Sequence, residues 1–393
     1  MDKLRRILSL MIILILLITI ILVAKRFFIR GPSEVLVKSY GGYKRFFLHY
    51  DRIVRKEDGA VTSDAQALAM LRAVWMNDKN TFNRLFAWTD HNLSRARLRR
   101  GVNDQMNAYR WRHGEIDDMD PNLSADLDYA LALILAHRRW GKTQGSPGVG
   151  LQKFGKKANG ILKDILTLFA FQTLDGRWYL SAEVLDSQQK YEKYPLNTSV
   201  FSPAHFKIFY EHTGNDRWLD LVETSYHVLS EISKPSKTYA SVGLFPDWCA
   251  VGASGKLYVW EARSFDSGWE SVRIPYRLAL DYHWFGSVEA ADILKGFAQF
   301  ARLHWRDKGL IYCEYTIDGR VKSEYEDAVF YGAYYYAFKI LGLPEEDDLF
   351  EVLRSRLKRF DDYWIWEDDF AYITNGYVWM TEDKNFALIR PEF

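Results

Sequence analysis

Apolar residues recur along most of the chain with the three- and four-residue spacing of amphipathic helices. This periodicity predicts helices over 64–77, 80–92, 124–140, 155–170, 203–212, 216–231, 270–283, 287–304, 324–341 and 347–360. Strand-like alternation is limited to two short stretches, 176–181 and 255–260. Ten or more helices joined through loops favour an all-α toroid of helical hairpins over a four-helix bundle, with the active site in the loops at one end.

One apolar run near the N-terminus is different because it carries no charge. Residues 7–24 read "ILSLMIILILLITIILVA", which is long enough to cross a bilayer. No small-residue cleavage site follows before the basic cluster "KRFFIR", so we expect an uncleaved signal anchor within residues 1–30. Basic residues flank the run on both sides, and the simplest topology puts the N-terminus inside. The expected location is the cell membrane, single-pass, with the catalytic domain extracytoplasmic.

Residues 31–393 contain no Ser/Gly-rich linker or low-complexity run, which predicts one domain. The stretch "GKTQGSPGVG" (141–150) is expected to be a loop because its glycines and proline end the preceding helix. The acidic run 115–121 lacks the EF-hand spacing and is also interpreted as a loop. The tail 350–370 is amphipathic and is expected to close the barrel.

Composition narrows the possible partners. Lys and Arg number 52 against 51 Asp and Glu, and this balance argues against nucleic acid as a partner. Aromatic residues make up 16% of the chain, which suits either stacking on sugar rings or packing in a large helical core. Cys249 and Cys313 could form one disulfide. No Cys-x-x-Cys or His-Glu-x-x-His pattern is present, so neither a metal nor another cofactor is expected.

Several motifs occur in a fixed order between about residues 45 and 285 of the chain. They are Ser63-Asp64-Ala65-Gln66 before an apolar run, "YRWR" (109–112), "NLSADLDYALALILAHRRW" (122–140), "NTSVFSPAHFKIFYEHTGNDRW" (197–218), "GLFPDW" (243–248) and "GWESVRIPYRLALDY" (268–282). Read together, they resemble glycoside hydrolase family 8, a family of endoglucanases, chitosanases and xylanases. The resemblance implies an (α/α)6 barrel, the six-hairpin glycosidase fold.

The resemblance also implies roles for individual residues. The general acid of the family, a glutamate, falls on Asp64, and its general base, an aspartate, falls on Glu270. The aspartate that contacts the sugar at the cleavage site falls on Ser124. Asp126, the second acid of that signature, is retained as a further catalytic candidate, and Asp128 lies two residues on.

Each of these residues also has an ordinary structural interpretation. Asp64 and Ser124 could be helix N-caps. Glu270 could form an i,i+3 ion pair with Arg273. Asp126 could be a first-turn acid that the helix dipole favours.

A second group is predicted to bind substrate. Trp111 and Trp248 could stack on sugar rings, and ordinary packing is the alternative for both. Asp247 follows a proline in a loop, and Arg273 could orient a carboxylate or bind an acidic sugar. Gln66, from the first motif, is included in this group.

The chemistry explains why two carboxyl groups are needed. An inverting glycosidase protonates the leaving oxygen with one, while the other activates water on the opposite sugar face across a gap of about 6.5–9.5 Å. The sequence therefore predicts a membrane-anchored, endo-acting glycoside hydrolase for an exopolysaccharide or cell-surface polysaccharide, with a polysaccharide synthase complex as a candidate partner. Because three family positions are substituted, a non-catalytic carbohydrate-binding subunit of a synthesis or export system is the alternative. A polysaccharide lyase is the third.

Overall fold

The computed structural model describes residues 11, 14, 32–98, 101–141, 149–185, 192–236, 238–356, 358–360 and 363–365. The predicted anchor, 7–24, lies outside the described residues except for positions 11 and 14, and so does most of the predicted loop 141–150. Within the described part of the chain, no helix combines the length and the apolar character needed to cross a membrane.

Helices dominate the described residues. In chain order they are α1 Pro32–Phe47, α2 Ser63–Trp75, α3 Lys79–Asn92, α4 Arg95–Leu98, α5 Leu123–Trp140, α6 Val149–Leu168, α7 Pro203–Thr213, α8 Arg217–Ser233, α9 Arg273–Phe285, α10 Val288–Lys308, α11 Ala328–Leu341 and α12 Glu346–Ser355. Every predicted helix is present with boundaries shifted by a few residues. The shift is largest for α6, which begins at Val149 and not at 155.

The helices form an inner and an outer set. The inner helices α2, α5, α7, α9 and α11 contact one another in that order, and each packs against the outer helix that follows it. All residues of α2 are buried, whereas α12 buries only Leu349 and Leu353. A helix buried on all sides needs small and apolar residues all round, and an outer helix needs only one apolar stripe. The described residues thus form five hairpins, consistent with an (α/α)6 barrel.

Short antiparallel strands decorate the loops. They are β1 Leu48–His49, β2 Arg52–Ile53, β3 Val61–Thr62, β4 Ala108–Arg112, β5 Glu115–Pro121, β6 Ala170–Gln172, β7 Trp178–Leu180, β8 Lys193–Asn197, β9 Trp248–Gly252, β10 Leu257–Val259, β11 Glu314–Tyr315, β12 Val321–Ser323, β13 Lys358–Phe360 and β14 Tyr363–Ile365. Two sheets have three strands, in the orders β3-β4-β5 and β8-β9-β10. The two predicted strands appear as β7 and β10.

One sequence expectation is wrong. The acidic run 115–121 is strand β5 and not a loop, because it pairs with β4. The amphipathic tail, which is expected to close the barrel, is helical to Ser355 and continues as the hairpin β13–β14, whose second strand packs on α1; its role in closing the barrel stays a prediction. The sequence left open whether Cys249 and Cys313 pair; both are buried and free, so they form no disulfide.

The hairpin connectivity sets where a site can form. Each inner helix is followed by an outer helix that returns the chain, so the inner helices run in one direction and their N-termini meet at one end. Asp64 lies in the first turn of α2, Ser124 in the first turn of α5, and Glu270 just before α9. The fold therefore gathers these three positions at the same end of the barrel.

Candidate active site

Asp64 and Glu270 belong to one charge cluster although about 200 positions separate them. The carboxyl group of Asp64 interacts electrostatically with both Arg273 and Glu270. Arg273, the first residue of α9, donates from Nη1 to Oε2 of Glu270 at 2.9 Å. The structure thus brings the two carboxyl groups predicted as acid and base within electrostatic range of each other, and the guanidinium group of Arg273 contacts Glu270 and acts electrostatically on Asp64.

The environment of Asp64 favours its protonated form. The residue is 8% exposed, and burial raises the pKa of its carboxyl group, an effect to which the negative charge of Glu270 adds. The N-cap of α2 is Thr62, so Asp64 is not the cap that the sequence left open; its Oδ1 accepts from the adjacent Ala65 N–H at 2.8 Å. A raised pKa makes this carboxyl group a better proton donor than an exposed aspartate, which suits a general acid.

Glu270 differs from Asp64 in exposure and partners. It lies in the turn before α9, and its side chain is 35% exposed. The i,i+3 ion pair with Arg273 that the sequence suggested is confirmed. Arg273 holds Oε2, while no group in the described part of the chain donates a hydrogen bond to Oε1. One oxygen is therefore fixed, and the other can accept a proton from water.

Ser124 and Asp128 share one face of α5 because they are one helical turn apart. The N-cap of α5 is Asn122, whose side chain accepts from Ala125 N–H at 3.1 Å, so the N-cap interpretation of Ser124 is wrong. Ser124 Oγ instead accepts from Nη2 of Arg277 at 3.2 Å, and the same Nη2 lies 3.3 Å from both oxygens of Asp128. Burial is the largest influence on Asp128 and raises its pKa, but the charge of Arg277 and the hydrogen bond to His205 act together in the opposite direction, and the net pKa is lowered.

His205 completes this buried network, and sequence reasoning missed it. Its Nε2 lies 2.9 Å from Asp128 Oδ1, and its Nδ1 lies 2.5 Å from Ser202 Oγ. Serine, histidine and aspartate make a familiar catalytic combination. Here all three side chains are at most 2% exposed, so a polymeric substrate cannot reach them. Burial lowers the pKa of His205, so the imidazole is neutral and the network holds α5, α7 and α9 together.

Asp126 lies on another face of α5, about 200° around the helix from Ser124. It is fully buried, and its Oδ1 accepts from Asn107 Nδ2 at 2.9 Å and from Asn107 N–H at 3.3 Å. Burial raises the pKa of Asp126 to about 7. The structure does not bring it together with Asp64 and Glu270, and its catalytic role stays a prediction without a supporting contact.

Asp247 lies beside the turn that carries Glu270. Its Oδ1 accepts hydrogen bonds from the backbone of that turn, including Glu270 N–H at 3.2 Å. Burial raises the pKa of Asp247 to about 6, with a smaller contribution from the negative charge of Glu270. Trp248, the first residue of β9, is half-buried, and the guanidinium group of Arg263 lies 5.3 Å from its ring centroid.

Trp111 and Gln66 lie near the start of α2 but have different surroundings. Trp111 is half-buried on β4, opposite Val61, and the guanidinium group of Arg52 lies 5.2 Å from its ring centroid. Gln66 is fully buried; its Oε1 accepts from Ile53 N–H at 2.7 Å and its Nε2 donates to Thr89 at 2.8 Å. Both polar ends of Gln66 thus bind within the fold, and the residue ties β2 to α3.

No cluster of three or more His, Cys, Asp or Glu side chains suited to a metal ion occurs among the described residues. The groups at this end of the barrel that can carry out chemistry are the carboxyl groups of Asp64 and Glu270, which lie in different environments. A helical-hairpin fold with such a pair at the N-termini of its inner helices defines a protein of the glycosidase type.

The chain belongs to glycosyl hydrolases family 8, whose family model matches residues 37–320. It is 27% identical over 308 residues to Endoglucanase A of Acetivibrio thermocellus, covering 74% of this chain and 55% of that protein. It is 26% identical over 219 residues to Endoglucanase C of Ruminiclostridium cellulolyticum, covering 54% and 41%. The chain thus spans about half the length of these curated relatives. The family predicted from the sequence is confirmed.

Solved glucanase structures share the fold. The endo-1,4-D-glucanase from Vibrio fischeri ES114 aligns with a TM-score of 0.71 at 15% identity, covering 89% of this chain and 94% of that one. Endo-beta-1,4-glucanase CMCax from Acetobacter xylinum aligns with a TM-score of 0.66 at 17% identity, covering 92% and 100%.

Proposed function

We propose that the chain is an endo-acting glycoside hydrolase that cleaves a polysaccharide with inversion, using Asp64 as general acid and Glu270 as general base. The observation that carries the proposal is the contrast between the two carboxyl groups. Asp64 is buried with a raised pKa, whereas Glu270 is partly exposed and held by Arg273 in the same charge cluster. Such a contrast separates an acid from a base.

The reaction follows from that contrast. Asp64 gives its proton to the glycosidic oxygen while the bond between that oxygen and the anomeric carbon breaks. A water molecule attacks the anomeric carbon from the opposite face, and Oε1 of Glu270 takes the proton that the water loses. The products are a new reducing end of inverted configuration and a free hydroxyl on the leaving chain.

The two substitutions relative to the family act in opposite directions. An aspartate at 64 withdraws the acid by one methylene, and a glutamate at 270 extends the base by one. The gap that must hold the attacking water can therefore stay the same. At the third position, Ser124 presents a neutral hydroxyl group, while Arg277 engages the nearest carboxylate on that helix face, Asp128.

The substrate class that best fits is a β-linked glucan, because relatives carry the names endoglucanase and endo-1,4-D-glucanase. The uncharged apolar run 7–24 supports action on an exopolysaccharide at the cell surface, with the catalytic domain outside the membrane and possible association with a polysaccharide synthase.

A second candidate is a carbohydrate-binding subunit without catalysis. The substitutions at positions 64, 124 and 270 favour it, because an error of about 1 Å in placing a catalytic group can cost about a hundredfold in rate. Binding of a polymer with no release of reducing ends would support this candidate.

The test is reducing-end release from a panel of polymers. We expect the wild type to cleave at least one β-glucan, and Asp64→Asn and Glu270→Gln to lose at least 99% of that activity. Asp292→Asn and Glu351→Gln are matched controls, since both residues form exposed i,i+3 ion pairs and should keep full activity. Full activity in Asp64→Asn and Glu270→Gln would refute the assignment, and products that absorb in the ultraviolet would indicate a lyase.

A further inference from the structure

Backbone hydrogen bonds hold Asp247 in place independently of its side chain. Its N–H donates to the carbonyl oxygen of Asp266 at 2.8 Å, and its carbonyl oxygen accepts from Thr198 N–H at 3.1 Å. Strand β9 begins at the next residue, Trp248, which pairs with Asn197 of β8. The three-stranded sheet β8-β9-β10 therefore fixes the position of the Asp247 backbone.

One oxygen of the Asp247 carboxyl group holds the whole turn that precedes α9. Oδ1 accepts from Gly268 N–H at 2.9 Å, Glu270 N–H at 3.2 Å and Ser271 N–H at 2.9 Å, and from Ser271 Oγ at 2.8 Å. These four donors come from three residues of one turn, Gly268, Glu270 and Ser271, which lie 21 to 24 positions further along the chain. Hydrogen bonds to an ionised acceptor are stronger than those between neutral groups.

Close approach of the turn depends on Gly268. A Cβ atom at this position would lie 3.1 Å from Oδ2 of Asp247 and 3.5 Å from Cγ of Glu314. The backbone of the turn is thus packed directly onto the carboxyl group. No hydrogen bond to Oδ2 is made by any residue that the structure describes, so the protein contacts of the carboxyl group are concentrated on this turn.

Glu270 is consequently held at two points. Asp247 fixes its backbone N–H, and Arg273 fixes its Oε2. Neither contact alone defines where Oε1 lies, because the glutamate side chain has three rotatable bonds between them.

We propose that Asp247 is a positioning residue that holds the Gly268–Ser271 turn in place and thereby sets the location of the general base Glu270. This inference rests on the proposed function and replaces the substrate-binding role predicted for Asp247. A positioning role and a sugar-binding role predict different kinetics. Loss of the hydrogen bonds from Asp247 to the turn should slow the chemical step and lower kcat, whereas loss of a sugar contact should weaken substrate binding and raise KM.

The experiment compares Asp247→Ala with Asp247→Asn in the full chain, since the asparagine keeps an Oδ1 acceptor for the turn. We expect kcat to fall about a hundredfold in Asp247→Ala, as for a base displaced by about 1 Å, with KM changed less than threefold. Asp247→Asn should recover kcat to within about tenfold of the wild type. Asp292→Ala, at an exposed aspartate, is the control and should match the wild type.

Hydrogen exchange at the amides of residues 268–271 provides a readout that does not require activity. Protection should be lost in Asp247→Ala and kept in Asp247→Asn. A raised KM with unchanged kcat, or unchanged amide protection in Asp247→Ala, would overturn the proposal. A wild type that cleaves nothing would refute the proposed function, and the amide protection would still decide whether Asp247 clamps the turn.

Discussion

Exchanging the lengths of the two proposed catalytic side chains tests whether they are matched to each other. Asp64→Glu extends the acid and Glu270→Asp shortens the base, each by one methylene, or about 1.5 Å. An error of about 1 Å costs about a hundredfold in rate, which is ~2.7 kcal/mol of activation free energy. In addition, Glu270→Asp draws the carboxylate away from Arg273, its partner at 2.9 Å. We expect kcat to fall about a hundredfold in each single variant.

The double variant Asp64→Glu/Glu270→Asp separates matching from two independent effects. If the gap between the carboxyl groups is what matters, lengthening one side and shortening the other restores it, and kcat should return to within about tenfold of the wild type. Independent effects would multiply to a loss of about ten-thousandfold. The assay is reducing-end release from the polymer that the wild type cleaves best, with the melting temperature of each variant measured alongside. A double variant as inactive as the product of the single variants would refute the reasoning.

Three further predictions concern the surrounding network. Arg277→Met leaves the buried carboxylate of Asp128 uncompensated and should lower the free energy of unfolding by about 3–5 kcal/mol at pH 7. Because the folded-state pKa of Asp128 is lowered, the difference in unfolding free energy between wild type and variant should shrink as the pH falls below about 4, which urea unfolding at several pH values would show. Asp126→Asn should stabilise the fold by ~4 kcal/mol at pH 8 and not at pH 4, because the folded-state pKa of Asp126 is raised to about 7 and ionisation therefore costs stability as the pH rises from 4 to 7. Equal unfolding midpoints of variant and wild type at pH 8 would contradict this. Ser124→Asp, which brings a second carboxylate to Arg277, should lower KM for the polymer if position 124 faces the sugar, and an unchanged KM would show that it does not.

Helix positions could be predicted from the sequence because the inner and outer helices both keep a periodic apolar pattern. Helix α1 could not, since the pair Gly41–Gly42 in its interior weakens its signal. Tertiary contacts stabilise it: the guanidinium group of Arg72 lies 4.9 Å from the ring centroid of Tyr43.

Strand β5 was missed for a similar reason. Acidic residues are depleted in strands, and four of the seven residues in the run 115–121, "EIDDMDP", are acidic. What holds the strand is its pairing with β4, supported by Asp117, which bonds Arg110 at 2.8 Å and Arg112 at 2.7 Å. The sequence alone does not show that Asp117 pairs with Arg110 and Arg112, because these residues become neighbours only when β4 and β5 form a hairpin.

Part of the candidate site could be predicted from the sequence, through the family motifs and the spacing of residues along a helix. Asp64 and Glu270 followed from the family resemblance, and the i,i+4 spacing of Ser124 and Asp128 could have shown that these two residues, and not Asp126, share a face. The histidine network could not be foreseen, because His205 reaches Asp128 from 77 positions away. The clamp by Asp247 likewise depends on a turn more than 20 residues further along the chain.

The proposed two-carboxylate mechanism is tested most directly by the anomeric configuration of the first products. Proton NMR spectra recorded in the first minutes of digestion of a β-glucan by the wild type separate the two anomers before they equilibrate. A single displacement by water inverts the configuration, so the new reducing ends should appear first as the α-anomer. Initial formation of the β-anomer would contradict the assignment of Asp64 and Glu270 as the acid and base of an inverting enzyme.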